Sequence, residues 1–138
     1  MKKLIVFLAV ALAIPTSVAF AKAPSTHANL GKSNPKVMYI LKGTFSSFVP
    51  ATSTADGSIT ITVTHANYHA RALKNGPPLT FAVAPNTRIT FVNGTTTLGP
   101  HAKGMVKFRA PLRMASGTDL ATALPAMAKA LHVIIQNG

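Results

Sequence analysis

The stretch Ser58-Ile59-Thr60-Ile61-Thr62-Val63-Thr64 decides the fold. Ile59, Ile61 and Val63 fall on one side of an extended chain, and hydroxyl-bearing residues on the other. Strict alternation of β-branched residues is the pattern of a strand with one dry and one wet face. Asp56-Gly57, immediately before it, is a turn signal.

Working outward, the same period recurs. Leu79, Phe81 and Val83 point inward in a strand closed by Pro85-Asn86, and Ile89 and Phe91 in another closed by Asn93-Gly94, a favoured hairpin turn. Val106, Phe108 and Ala110 form a strand stopped by Pro111, and Leu131, Val133 and Ile135 form the last. Upstream, Val37 to Phe48 reads as a long first strand with Gly43 in its middle, where glycine marks a bulge or sharp bend. A bent first strand can pair with both halves of a small barrel. Helix signals are sparse: Asp119 is placed to cap a turn at Leu120, and Pro125 interrupts it before Lys129. About six short strands separated by turns predict an all-β domain, a small OB-like closed or partly open barrel, with a sandwich as the alternative.

The N-terminus carries a different message. Lys2 and Lys3 precede an apolar run from Leu4 to Ile14, and Ala19-Phe20-Ala21 places small residues where a signal peptidase reads. The run is shorter than the roughly 20 residues a spanning helix needs. The expected organisation is a signal peptide with its helix over 1-21, a flexible basic arm over 22-36 and a β-barrel domain over 37-138. The product is expected to be secreted, or to reside in the periplasm or cell envelope, with no stable membrane insertion after cleavage. Cleavage after Ala21 leaves 117 of the 138 residues, enough for one core. The chain has no cysteine, so packing and sheet pairing must stabilise it without disulfides.

Charge narrows the function. The whole chain has 14 lysines and arginines against two acids, a formal net charge of +12. Loss of Lys2 and Lys3 leaves +10, which favours polyanions such as nucleic acid or an anionic envelope polymer. The cations are scattered singly. Alternation nevertheless puts Lys103, Lys107 and Arg109 on the face opposite Val106 and Phe108, and turns Arg88 away from Ile89 and Phe91. These four are the candidate polyanion-binding residues; Lys42, Arg71, Lys74 and Arg113 are placed to extend the surface.

Enzyme chemistry finds few footholds. There is no glutamate, and Asp56 and Asp119 have turn and cap positions that explain them. No G-x-S-x-G elbow is present, and glycine-rich phosphate loops are absent. His65 and His69 would share one face of a helix and approach one zinc, but lie roughly 13 Å apart on a strand. The reading is therefore noncatalytic, with no cofactor and no metal; a hydrolase joining Asp119 to a histidine and a serine is the alternative.

Lys42-Gly43-Thr44-Phe45, the run Ile59 to Asn67, Thr80-Phe81-Ala82-Val83 with Thr87, and Gly104-Met105-Val106-Lys107 together resemble small exported bacterial OB-like β-barrel domains of unknown function. The resemblance spans about Val37 to Gln136 and implies a barrel, with no catalytic signature and no particular protein partner. The long segment Pro111 to Lys129 departs from that pattern.

Overall fold

The structure, a computed structural model, describes residues 33–138. The expected signal peptide and most of the expected arm lie outside the described residues.

Five strands, one short 3-10 helix and one α-helix make up the all-β domain. They are β1 (Lys36–Val49), β2 (Gly57–Ala66), the 3-10 helix (Tyr68–Leu73), β3 (Leu79–Phe91), β4 (Lys103–Pro111), α1 (Leu120–Met127) and β5 (Ala130–Gln136). The strand order β1-β2-β3-β5-β4 closes on itself into a barrel, because β4 pairs back with β1. All pairings are antiparallel except β3 with β5.

β1 makes the closure possible. Lys36 to Thr44 pairs with β4, while Leu41 to Val49 pairs with β2. The register with β2 shifts between Lys42 and Gly43 and again between Phe45 and Ser47, so the strand bends as it passes from one sheet half to the other. Glycine is required at the bend: a Cβ on Gly43 would run into the Thr62 carbonyl oxygen. Opposite it, Gly104 leaves room for the Phe45 ring and the Ile134 carbonyl.

Inward positions fill the barrel. Ile59, Ile61, Val63, Phe81, Val83, Val106 and Phe108 are essentially inaccessible to solvent. Phe108 lies between Phe81, at 4.6 Å, and a nearly parallel Tyr39 ring at 5.2 Å. The Tyr39 hydroxyl donates to the Pro111 carbonyl at 2.9 Å, so its polar end is satisfied within the fold. Burial raises the pKa of that phenol. Leu73 of the 3-10 helix and Leu124 of α1 enter the same core.

Three sequence expectations need correction. The strands number five, not about six, because the segments around Phe81 and Ile89 are one strand. β3 runs through Pro85-Asn86 by changing partner: Leu79 to Val83 pairs with β2, and Arg88 to Phe91 with β5. Thr87 bridges the irregularity, its hydroxyl accepting from the Ala84 amide and donating to the Ala130 carbonyl. Proline is tolerated there because that stretch is a bulge. Next, Asn93-Gly94 turns the chain, with Gly94 at φ +70°, but closes no hairpin. β5 lies between β3 and β4, so the two never pair. Finally, Leu131 is 48% exposed, and Ala130 takes the buried position at the start of β5.

The segment Pro111 to Lys129 contains α1. Asp119 caps it, with Oδ1 accepting from the Ala121 amide and Oδ2 from the Thr122 hydroxyl at 2.6 Å. These bonds hold the carboxyl below the usual aspartate range. At the other end of the domain's sequence, Asn34 exchanges two hydrogen bonds with the Arg113 backbone, and the Leu112 amide donates to the Pro35 carbonyl. The last residues ahead of β1 are thereby tied to the chain leaving β4.

Candidate anion-binding face

The outer surface of β3, β5, β4 and β1 collects the cations. On β4, Val106, Phe108 and Ala110 point inward, which turns Lys103, Met105, Lys107 and Arg109 outward. On β5 the same alternation buries Val133 and Ile135 and leaves His132 and Ile134 half-buried on the outside. Cross-strand pairing aligns these residues into rows. One row runs Arg88, His132, Lys107, Ile40 across four strands. The next runs Thr90, Ile134, Met105, Lys42, and the third Gln136, Lys103, Thr44.

All four residues selected from the sequence therefore share one surface. Lys103 and Arg109 are six positions apart on β4, about 20 Å at the usual rise. Arg88 and Lys107 are separated only by β5, two strand spacings or about 10 Å. Lys42, named only as an extension, lies inside the patch, diagonal to both Lys103 and Lys107. The other extensions lie outside these strands. The Arg71 guanidinium lies over the Tyr68 ring at 4.7 Å in the β2–β3 connection with Lys74, and Arg113 follows β4.

His132 was missed as a member of the patch. Its alternation with Val133 and Ile135 shows an outward side chain, but its position between Arg88 and Lys107 depends on pairings between distant strands. Its Nε2 lies 3.1 Å from the Thr90 hydroxyl. Burial chiefly, and then the charges of Arg88 and Lys107, push its pKa below the ordinary histidine value. The imidazole is thus biased toward neutrality, and the formal charge of the patch comes from Arg88, Lys42, Lys103, Lys107 and Arg109, with Lys36 at its end, outward on β1 and diagonal to Arg109.

Neither aspartate offsets them. Asp56 is engaged by Lys129 at 2.6 Å, and Asp119 by the start of α1. Between the cations sit Met38, Ile40, Met105 and Ile134, all partly exposed. Of the aromatic side chains on these strands, Tyr39, Phe45, Phe81 and Phe108 point into the core, and the half-buried Phe48 and Phe91 pack edge to face on each other at 6.0 Å.

The histidine pair considered for zinc is divided between elements: His65 ends β2, and His69 sits in the 3-10 helix with its ring near Tyr39 and Tyr68. The hollow beside Asp119 is lined by Leu73, Pro77, Leu79 and Thr118, among others, and contains neither a serine nor a histidine. Among the described residues, no helix is long and apolar enough to cross a membrane. No family model, curated protein or solved structure matches the chain.

Proposed function

We propose that the chain is an exported, noncatalytic domain of the cell envelope or extracellular space, whose basic outer face binds an anionic polymer. The observation that carries this reading is the gathering of Arg88, Lys42, Lys103, Lys107 and Arg109 on one surface without an aspartate. Export rests on the Lys2-Lys3 start, the apolar run and the Ala19-Phe20-Ala21 site.

An OB-like description of the barrel is part of the proposal. It is supported by the closed five-strand order, the shared and bent β1, and the parallel β3–β5 pair. Barrels of that kind bind oligonucleotides and oligosaccharides on the β2–β3 face. Here that face carries hydroxyls and no cation, so the binding surface is assigned to the opposite side. Single-strand nucleic-acid binders also rely on aromatic stacking platforms. This face offers Met38, Ile40, Met105 and Ile134 instead, which favours an anionic envelope polymer over nucleic acid.

Heparin affinity as a function of salt tests the proposal. Neutralised contacts at Arg88, Lys103, Lys107 and Arg109 give a slope of roughly −3 to −4 in log affinity against log salt, and engagement of Lys42 adds about one more unit. Lys107→Gln with Arg109→Gln is expected to flatten it by about two units without loss of fold. Arg71→Gln with Lys74→Gln, off the face, serves as the control. Equal effects of the two pairs would reduce the charge to a diffuse solubilising coat.

A further inference from the structure

The geometry points to a discrete subsite at the edge of this face, where β1 meets β2, formed by Lys42, His65 and Lys103, for a tetrahedral oxyanion carried on a sugar ring. It rests on the polymer-binding reading and supplies the repeating unit that the face would recognise.

Three observations converge on these residues. Lys42 and His65 are direct cross-strand partners, next to the register shift that bends β1 at Gly43. Bulges of this kind re-aim side chains and recur beside functional sites. Lys103 pairs with Thr44 and is therefore diagonal to Lys42, a separation of about 7–8 Å between backbone positions. Two ammonium groups on flexible stems at that spacing can close on one phosphate or sulfate from opposite sides.

Two adjoining hollows share the pair. One is lined by Lys42, Thr44, Thr64, His65 and Lys103, with the two glycine backbones of Gly43 and Gly104 at its base. It offers cations and hydroxyls and suits the oxyanion. The other, about 520 Å³, is lined by Ile40, Lys42, His65, Ala66 and Asn67. That volume is within the range of small-ligand sites. The Asn67 amide is already committed, donating to the Met38 carbonyl and accepting from the Ile40 amide. Ile40 and Ala66 thus give this second hollow an apolar wall against which the carbon face of a ring can lie. The Thr64 hydroxyl donates to the Lys42 carbonyl at 3.3 Å and so accepts from His65 Nδ1 at 3.1 Å, which leaves Nε2 of the neutral ring as an acceptor for a hydroxyl of the sugar.

The arrangement also has an electrostatic signature. Like charges are unfavourable directly opposite each other, and diagonal neighbours come within reach of one another through long side chains. Lys42 has Lys103 and Lys107 as diagonal neighbours, and both acids of the chain are occupied elsewhere. A bound oxyanion would relieve that repulsion.

The test is an NMR titration of the exported chain with inorganic phosphate, glucose 6-phosphate, glucose 6-sulfate and glucose. Glucose 6-phosphate should give saturable shifts confined to residues 40–44, 64–67 and 103–104. It should bind roughly tenfold more tightly than inorganic phosphate, through the apolar surface that the ring covers. The 6-phosphate and 6-sulfate arms distinguish the two sources of the oxyanion, and glucose alone should shift little. Lys42→Gln with Lys103→Gln should abolish the local shifts, while Lys107→Gln with Arg109→Gln should retain them, each with a spectrum otherwise like the wild type. Shifts spread along the whole face, or equal affinity for phosphate and glucose 6-phosphate, would overturn the subsite. Heparin retention with no local sugar-phosphate binding would remove the subsite alone. Local binding without heparin retention would instead remove the polymer reading and leave a small-ligand site.

Discussion

The barrel wears two outer faces built by the same rule and given opposite chemistry. On β2 and the first half of β3, the outward residues are Ser58, Thr60, Thr62, Thr64 and Thr80. On β4, β5, the end of β3 and the start of β1, they include Lys103, Lys107, Arg109, Arg88 and Lys42. The inward residues on both sides are of one kind: Ile59, Ile61 and Val63 behind the hydroxyls, Val106 and Phe108 behind the cations. The core therefore makes no demand that distinguishes the faces. Threonine suits a strand without further cause, and Thr60 and Thr80 join across β2 and β3 at 2.8 Å. Lysine is depleted in strands, and neighbouring like charges are unfavourable. A face of cations without aspartates is not what strand propensity alone would select, and that contrast is what motivates the proposed binding role.

The largest expected effect tests whether the two sides of a strand differ as described. Ile61→Asp places a charge among fully buried neighbours and should cost several kcal/mol, against a total stability of about 5–15 kcal/mol for a domain of this size. Thr62→Asp, one residue on, stays in water and should leave the melting transition close to wild type. Circular dichroism melts of the two variants settle it; similar losses would mean that β2 is buried on both faces.

Gly43 is the joint that lets β1 serve both faces, and it is the next most sensitive position. Gly43→Ala drives a Cβ toward the Thr62 carbonyl and should cost about 1–3 kcal/mol, the usual range for overpacking. Gly117→Ala, where nothing lies near the added atom although φ is +79°, is the comparison for backbone strain alone. A Gly43 variant as stable as wild type in urea would show that the bend does not depend on the missing side chain.

A charge transplant asks whether place or net charge matters. Lys107→Gln combined with Thr80→Lys keeps the formal charge while moving it to a position that pairs only with the hydroxyl-bearing strand β2. Heparin affinity in moderate salt should fall about as far as with Lys107→Gln alone, a slope change near one contact. Full recovery in the double variant would dissolve the distinction between the faces.

The dry and wet sides of each strand were legible from residues such as Ile59, Phe81, Val106 and Val133, because burial enforces period two locally. Gly43 could be read as a bend for the same local reason. The joining of two apparent strands through Pro85 was hidden, since it depends on Thr87 reaching the Ala130 carbonyl 43 residues away. The face itself was half visible. Alternation gave Lys103, Lys107 and Arg109 a common side, but only the insertion of β5 between β3 and β4 places Arg88 across His132 from Lys107. Likewise, the diagonal relation of Lys42 to Lys103 follows from a β1–β4 register that no short-range pattern encodes.

The smallest expected effect concerns His132, which has no counterpart on the hydroxyl face. Burial first, and then Arg88 and Lys107, lower its pKa in the folded state. In the unfolded chain the imidazole takes up its proton near pH 6.5. Between that value and the lower folded one, the unfolded state holds more protons. The contribution of His132 to stability is therefore fully present above about pH 6.5 and is lost as pH falls through the window toward the folded pKa. Asp119, held below the ordinary carboxylate range, titrates at more acid pH and leaves the interval from 7.5 to 5 largely to histidines. His132→Gln should thus reduce the fall in melting temperature across that interval. A polyanion lying across Arg88 and Lys107 would offset their charges and raise the His132 pKa, so binding should take up a proton and tighten as pH falls from 7 to 5. Arg88→Gln should weaken that dependence. A heparin affinity that keeps the same pH slope in wild type and His132→Gln would separate His132 from the binding surface, even with the lysines on either side of it still engaged.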